Sequence, residues 1–151
     1  ATHFGFPFFY YPLKLEGWYK YKAGANFSSK GEIIEGRKDK CDIYGVLYET
    51  DDNVQFLDGS TSLTSPNIVA LARNLDALPE TDNWKQFSFK FEPKNGKSID
   101  SDKLEKGIYK LAIVFSSSVD GGKFEGAVGS TLYIDKVVIE HTSNPNEYPA
   151  N

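Results

Sequence analysis

The sequence predicts an all-β domain, built as a sandwich or a barrel. Aromatic residues are abundant, with 11 Phe, 9 Tyr and 2 Trp among 151 residues, and runs of helix-favouring residues are scarce. Thirteen Gly and seven Pro separate short apolar segments at intervals that are typical of turns between strands. A chain of this length is long enough to bury a core of its own, so we expect one domain.

Alternating apolar residues mark five segments as strands: 13–22, 42–50, 84–91, 108–115 and 131–139. Segment 67–73 has the composition of a helical turn, but its short length and the proline before it favour a sixth strand. The clearest is 84–91, in which Phe87, Phe89 and Phe91 point to one face and polar residues to the other. Segment 42–50 is apolar on both faces, which is typical of a central strand. Residues 54–57 predict a short return strand after the turn at 51–53.

Two strands carry further information in their alternation. In 13–22, Trp18 faces one way with Lys20, whereas Tyr19 and Tyr21 face the other way. In 131–139 the alternation changes side near residues 135 and 136, which predicts a β-bulge there.

The ends of the chain predict a junction and a tail. Residues 1–12 contain six aromatic residues, and Pro7 and Pro12 prevent a regular helix. We predict that 1–16 form the junction with an upstream domain of the same chain, that 17–141 form the β domain and that 142–151 form a flexible tail. Because the chain starts at Ala1 and contains no Met, we expect a processed product whose signal or lipid anchor lies upstream.

A Gly- and Ser-rich segment between the last two strands, residues 116–130, is the predicted place for binding chemistry. We call this segment the crossover. Glycine permits close approach of chains, and an ordered loop between core strands often carries the function of a β protein. The alternative is a segment that needs unusual backbone conformations only in order to connect two strands.

The sequence lacks the residues that several classes of function require. The only two histidines, His3 and His141, lie near the termini, and Cys41 is the only cysteine, so a hydrolytic triad and a zinc site have few candidates. No internal disulfide can form. The net charge of −4 and the absence of a basic stripe argue against nucleic acid as a partner. No apolar run has the roughly 20 residues of a membrane span.

The remaining chemistry points to sugars, whose flat apolar faces stack on aromatic rings while neighbouring polar groups bind the hydroxyls. The predicted carbohydrate-binding residues are Trp18, Tyr19, Tyr21, Trp84, Ser117, Ser118, Phe124 and Glu125. The alternative for the aromatic residues is a place in the core. Asp135 is a candidate ligand for a structural calcium ion, the one cofactor considered, and an ordinary solvated aspartate is its alternative.

At this point the sequence resembles a known family, the putative carbohydrate metabolism domain. Five segments carry the resemblance in order: GWYKYKAG (17–24), DIYGVLYE (42–49), NIVALAR (67–73), WKQFSFKF (84–91) and 109–139. The most specific string is SSS-x-x-G-x-x-F-x-G-A-x-G-S-T-L, which begins at Ser116 and ends at Leu132. The resemblance covers about Gly17 to Ile139.

The resemblance implies a jelly-roll β-sandwich like the carbohydrate-binding modules, of the galactose-binding-like kind. It also implies an extracellular or cell-surface protein of Bacteroidetes that takes part in polysaccharide utilisation, and it brings no catalytic residue with it. Three functions follow as hypotheses. The first is a non-catalytic module that binds a polysaccharide or an oligosaccharide, and the second is a structural or assembly domain of a surface protein. The third is a glycoside hydrolase in which Glu125 acts with Asp120 or Asp42.

Overall fold

The computed structural model describes residues 2–151 and confirms the all-β fold as a jelly-roll sandwich of antiparallel sheets. In chain order its elements are β1 (Phe6–Pro7), β2 (Tyr11–Lys22), β3 (Phe27–Ser29), β4 (Glu32–Ile33), β5 (Asp42–Glu49), β6 (Ile68–Arg73), β7 (Thr81–Lys90), β8 (Glu92–Pro93), α1 (Ser101–Glu105), β9 (Tyr109–Ser116), β10 (Glu125–Ala127) and β11 (Thr131–Thr142). Short 3₁₀ turns cover Leu75–Ala77, Gly121–Lys123 and Pro145–Glu147. All six predicted strands are therefore confirmed.

Two sheets form the sandwich, and a third closes one end of it. The strand order is β1-β9-β5-β6-β8 in the five-stranded sheet and β11-β2-β7 in the three-stranded sheet. The chain passes from one of these sheets to the other after β1, β2, β6, β7 and β9, as in a jelly roll. The small sheet β10-β3-β4 joins the crossover to the segment that follows β2.

The three-stranded sheet places one face on the main core and the other in solvent. Leu15 and Tyr19 of β2 are fully buried, and so are Phe87 and Phe89 of β7 apart from a few per cent of their surface. This confirms the predicted alternation of β7. The outward face carries Trp18 and the charged residues of β2, because side chains alternate along a strand.

Strand β5 lies between β9 and β6 and is buried on both faces, which confirms that it is central. Ile43 and Leu47 belong to the main core. Tyr44, Val46 and Tyr48 belong to a second core, which also contains Leu57. The predicted return strand at 54–57 is wrong, because this segment crosses the outer face of the sheet and Leu57 forms an isolated bridge with Phe4 instead.

The predicted bulge in β11 is confirmed. The pairing with β2 shifts between Asp135 and Val138, and Lys136 has a φ of 53°. The extra residue brings the side chains on both sides of the bulge to the same core, since Leu132 and Ile134 before it and Val137 and Ile139 after it all pack there.

Both ends of the chain contact the sandwich. The predicted boundary between residues 16 and 17 falls inside β2, where Tyr11, Leu13 and Leu15 are buried. The sandwich therefore starts before residue 17, because residues 11–16 belong to the middle strand of its three-stranded sheet; Ala1 lies outside the described residues. In the segment predicted as a tail, Tyr148 packs against Tyr11, with ring centroids 5.9 Å apart.

Candidate functional site

The predicted aromatic residues lie in three different environments. Trp18 and Trp84 are on the outer face of the three-stranded sheet, with 38% and 45% of their surface exposed. Phe124 is in the crossover and is 78% exposed. Tyr19 and Tyr21 are buried, so the structure brings two of the five predicted rings together on one open surface.

The outer face of the three-stranded sheet combines these two tryptophans with residues from all three strands. Tyr133 of β11 is paired with Lys20 of β2 and is 56% exposed. The Lys20 Nζ atom lies 4.8 Å from the ring centroid of Trp84 and 5.2 Å from that of Tyr133. We call Trp18, Lys20, Trp84 and Tyr133 the aromatic face. In it the ammonium group is held beside two rings, by contacts of the cation–π type.

Tyr133 was missed by the sequence analysis. The alternation of the last strand groups Tyr133 with Val137 and Ile139, which pack on the core. The bulge reverses the side to which odd-numbered residues point, so Tyr133, before the bulge, faces outward while Val137 faces inward. The bulge predicted from the sequence was the signal that could have found it.

The proposed exposed roles of Tyr19 and Tyr21 do not hold, because both rings belong to the main core. The Tyr19 hydroxyl donates to the carbonyl oxygen of Pro79 at 2.9 Å, and the Tyr21 hydroxyl donates to that of Ser117 at 2.8 Å. Burial raises the pKa of both phenols to about 12. These tyrosines anchor loops to the core and offer no stacking surface.

The crossover is organised around a buried carboxylate, that of Asp39, which is only 4% exposed. Its Oδ2 atom accepts hydrogen bonds from the hydroxyls of Ser118 and Ser130, both at 2.6 Å, and from the backbone N–H of Ala127 at 2.9 Å. Asp39 lies in a segment, 23–40, whose composition predicts a surface loop. Nothing in its local sequence distinguishes it from a solvated aspartate, so sequence reasoning missed it.

The other predicted polar residues of the crossover also bind the protein itself. Ser117 uses its carbonyl oxygen for Tyr21, and Ser118 uses its hydroxyl for Asp39. The carboxylate of Glu125 accepts a hydrogen bond from the hydroxyl of Ser29 at 3.0 Å. These groups hold the crossover on the small sheet, in which β10 is paired with β3.

The carboxylates considered for a hydrolase are paired with guanidinium groups. Arg37 lies 3.7 Å from both Asp120 and Glu125, so its guanidinium occupies the space between the two. Asp42 is almost fully buried and accepts two hydrogen bonds from Arg73, at 3.0 and 2.7 Å. A glycosidic bond would have to lie between two such carboxylates, where Arg37 now lies.

Two clefts flank Asp120 at the end of the sandwich that carries the crossover. One, of about 570 Å³, has Arg37, Lys40 and Val119 in its walls. The other, of about 560 Å³, lies between residues 59–64 and 119–123. Neither is lined by a residue of the aromatic face, which is an open surface instead of a pocket.

Asp135 is exposed in the bulge of β11, next to the aromatic face. Its Oδ1 atom accepts a hydrogen bond from the backbone N–H of Lys136 at 2.9 Å. Across residues 2–151 we find no group of three or more His, Cys, Asp or Glu side chains that could hold a metal ion. In the same range no helix is long and apolar enough to cross a membrane.

The fold and the aromatic face define a jelly-roll β-sandwich domain with exposed aromatic rings on one sheet. The chain belongs to the putative carbohydrate metabolism domain family, whose model matches residues 1–140. This match includes the first 16 residues, which the sequence analysis had placed in a junction.

Two solved structures have the same fold at substantial sequence identity. One, from Bacteroides thetaiotaomicron VPI-5482, is described as a putative glycoside hydrolase and is 49% identical, with a TM-score of 0.92 over 95% of this chain. The other, from Bacteroides vulgatus ATCC 8482, has the same description and is 44% identical, with a TM-score of 0.86 over 94% of this chain. The matched regions span 42% and 57% of those two chains. The comparison with curated proteins found no match.

Proposed function

We propose that this chain is a non-catalytic carbohydrate-binding module of an exported or cell-surface bacterial protein. It binds a polysaccharide or an oligosaccharide on the aromatic face. The observation that carries this proposal is the presence of three exposed rings, those of Trp18, Trp84 and Tyr133, on one face of one sheet. Exposed aromatic rings are costly to leave in water, and their faces complement the apolar C–H faces of sugars.

The spacing of the rings suits an extended ligand. Tyr133 and Trp84 lie on the two strands that flank β2, so they are two strand separations apart, about 10 Å. Trp18 is on β2 itself, one outward position from Lys20. A ligand that contacts all three rings must therefore extend across the sheet, as an oligosaccharide does.

Polar groups beside Trp18 can bind the hydroxyls of such a ligand. In the pairing of the strands, Gln86 of β7 and Asp135 of β11 lie directly opposite Trp18, one on each side. An amide both donates and accepts hydrogen bonds, and a carboxylate accepts them. Stacking supplies contact area at this site, and these two groups supply orientation.

The position of Arg37 supports binding over hydrolysis in this chain. Arg37 lies 3.7 Å from both Asp120 and Glu125, so the two carboxylates are paired with the same guanidinium group. The structurally similar proteins described as hydrolases are longer than the matched region. We therefore attribute any hydrolytic activity of such proteins to their other parts, and a binding role to this domain.

The test is affinity electrophoresis of the purified chain in gels that contain soluble plant, algal or host polysaccharides. We expect at least one polysaccharide to retard the wild type, and replacement of both Trp18 and Trp84 by Ala to weaken its binding about tenfold or more. Phe115→Ala and Phe124→Ala are matched controls, because each removes an exposed ring outside the aromatic face.

Two results would contradict the proposal. One is a folded wild type that no polysaccharide retards, which would favour the structural or assembly role. The other is a double variant that binds as tightly as the wild type. Loss of binding in Phe124→Ala alone would move the site to the crossover. Protease treatment of intact cells that express the full-length protein tests the cell-surface location.

A further inference from the structure

Lys20 is the central group of the aromatic face, and its surroundings are unusual for a surface lysine. Its side chain is half-buried between the rings of Trp84 and Tyr133. Lys22, two residues further along β2, is exposed, and alternation along the strand places it on the same face. Two positive charges therefore follow one another at the end of the aromatic face nearest the crossover.

Neither ammonium group forms a close ion pair with the protein. Within residues 2–151, no carboxylate lies within 4.0 Å of the Nζ atom of Lys20 or Lys22, and neither atom donates a hydrogen bond to a protein acceptor. Lys110 is a useful contrast. It also lies over a ring, 3.6 Å from the centroid of Phe56, but its Nζ atom donates to the carbonyl oxygen of Gln55 at 2.8 Å.

We propose that the aromatic face selects acidic polysaccharides, with Lys20 as the group that binds the anion. This inference rests on the proposed carbohydrate-binding function and names its substrate class. The rings of Trp84 and Tyr133 hold the ammonium group in place and partly shield it from water. Its N–H donors, free of protein acceptors, form charge-assisted hydrogen bonds with an anionic group on a sugar that stacks beside it. Lys22 adds a second positive charge on the same side.

The charges around the face orient the ligand. Asp135 and Glu16 lie beyond Lys20 toward one end of β2, since Asp135 is opposite Trp18 and Val138 is opposite Glu16. Glu80 and Asp82 lie at the other end, where they line the same cleft as Lys22. An anionic group is therefore attracted at Lys20 itself and repelled by the carboxylates on either side of it. Because the whole chain has a net charge of −4, general attraction to polyanions does not explain binding of an acidic polymer.

The anion can be a uronate carboxylate or a sulfate ester, and matched polymers distinguish these two. Polygalacturonate is compared with its methyl ester, and dextran sulfate is compared with dextran, all by affinity electrophoresis of the full chain. We expect the charged member of at least one pair to retard the protein more strongly than its neutral partner. The pair that shows the difference identifies the anion, and added salt should reduce the difference.

Three variants test the role of Lys20. Lys20→Gln should weaken binding of the charged polymer about threefold to tenfold more than it weakens binding of the neutral partner. Lys20→Arg keeps the charge and should retain most of the preference. Lys110→Gln is the matched control, because it removes another lysine that lies over a ring, and it should bind like the wild type.

The outcomes separate the two proposals. Equal binding of charged and neutral partners, or unchanged binding by Lys20→Gln, overturns the selection of acidic polymers while the Trp18 and Trp84 variant still tests sugar binding itself. A folded wild type that binds no polymer in either pair, nor any other polysaccharide, overturns both. Retention of acidic polymers by the Trp18 and Trp84 double variant would show simple charge attraction, and it also contradicts the inference.

Discussion

Asp39 shows how one residue determines the shape of the crossover. A single oxygen, Oδ2, accepts hydrogen bonds from three parts of this segment: Ser118 near its start, Ala127 in β10 and Ser130 just before β11. The other oxygen accepts from the backbone N–H of Lys40. Because the carboxylate is buried, its charge is stabilised by these donors and not by water. The serines of the signature string are thus used for structure.

The first stability prediction concerns this carboxylate. Asp39→Ala leaves four donors without their acceptor, those of Ser118, Ser130, Ala127 and Lys40, so we expect the free energy of unfolding to fall by about 3 kcal/mol. Ser118→Ala removes one of the donors together with its polar atom, and we expect it to cost about 1 kcal/mol. Urea denaturation monitored by tryptophan fluorescence measures both. Equal stability of Asp39→Ala and the wild type would contradict the structural role of Asp39.

At the scale of elements, the crossover is held against the segment that follows β2. The backbone N–H of Gly24 donates to the hydroxyl of Ser130 at 3.0 Å, and a Cβ atom at Gly24 would overlap the carbonyl oxygen of Val128. β10 is paired with β3 in the same region. Backbone atoms meet at this contact, so neither side can move away by changing a rotamer.

Gly24→Ala should therefore destabilise the domain by about 2 kcal/mol, since a methyl group must displace a backbone carbonyl. Gly122→Ala is the matched control within the crossover itself. A Cβ at Gly122 has no atom within 4 Å, and we expect a change within about 0.5 kcal/mol. Thermal or urea unfolding of the two variants side by side measures the difference. Similar stabilities would mean that the crossover is not packed as closely as the structure shows.

At the scale of the whole molecule, the sandwich buries ionisable groups in its core. Burial raises the pKa of Tyr19, Tyr21 and Tyr148 to about 12, and it raises the pKa of Cys41 to about 12 as well. In the unfolded chain these groups lose their protons near pH 8.5 for the thiol and near pH 10 for the phenols. Between those values and about pH 12 the folded state therefore holds more protons than the unfolded state.

This difference predicts an alkaline transition. The stability that depends on protonated phenols and thiol is complete below about pH 8.5 and decreases as the pH rises toward about 12. We expect the absorbance of the buried phenolates near 295 nm to appear together with the loss of near-ultraviolet circular dichroism. Ionisation of these tyrosines in a domain that remains folded would contradict their burial. Cys41 should likewise react with a thiol reagent at pH 8 only after unfolding.

The sequence by itself determined the six longest strands, the two faces of each and the bulge of β11, because these follow from local pattern. Phe87 and Phe89 face the core as their spacing requires, and the change of alternation at Asp135 is the bulge. Alternation also separated Trp18 from Tyr19 on opposite faces of β2. Local pattern cannot say which of two apolar faces meets another sheet.

Only the tertiary structure decided which residues form a candidate site. The buried carboxylate of Asp39 and the contacts of Arg37 with Asp120 and Glu125 each depend on segments that are far apart in the chain. Contacts between such distant segments are determined by strand order and pairing register, which depend on packing of the whole sandwich. The alternation of β2 could show that Trp18 and Lys20 share a face, but the pairing with β7 and β11 placed Trp84 and Tyr133 on either side of Lys20.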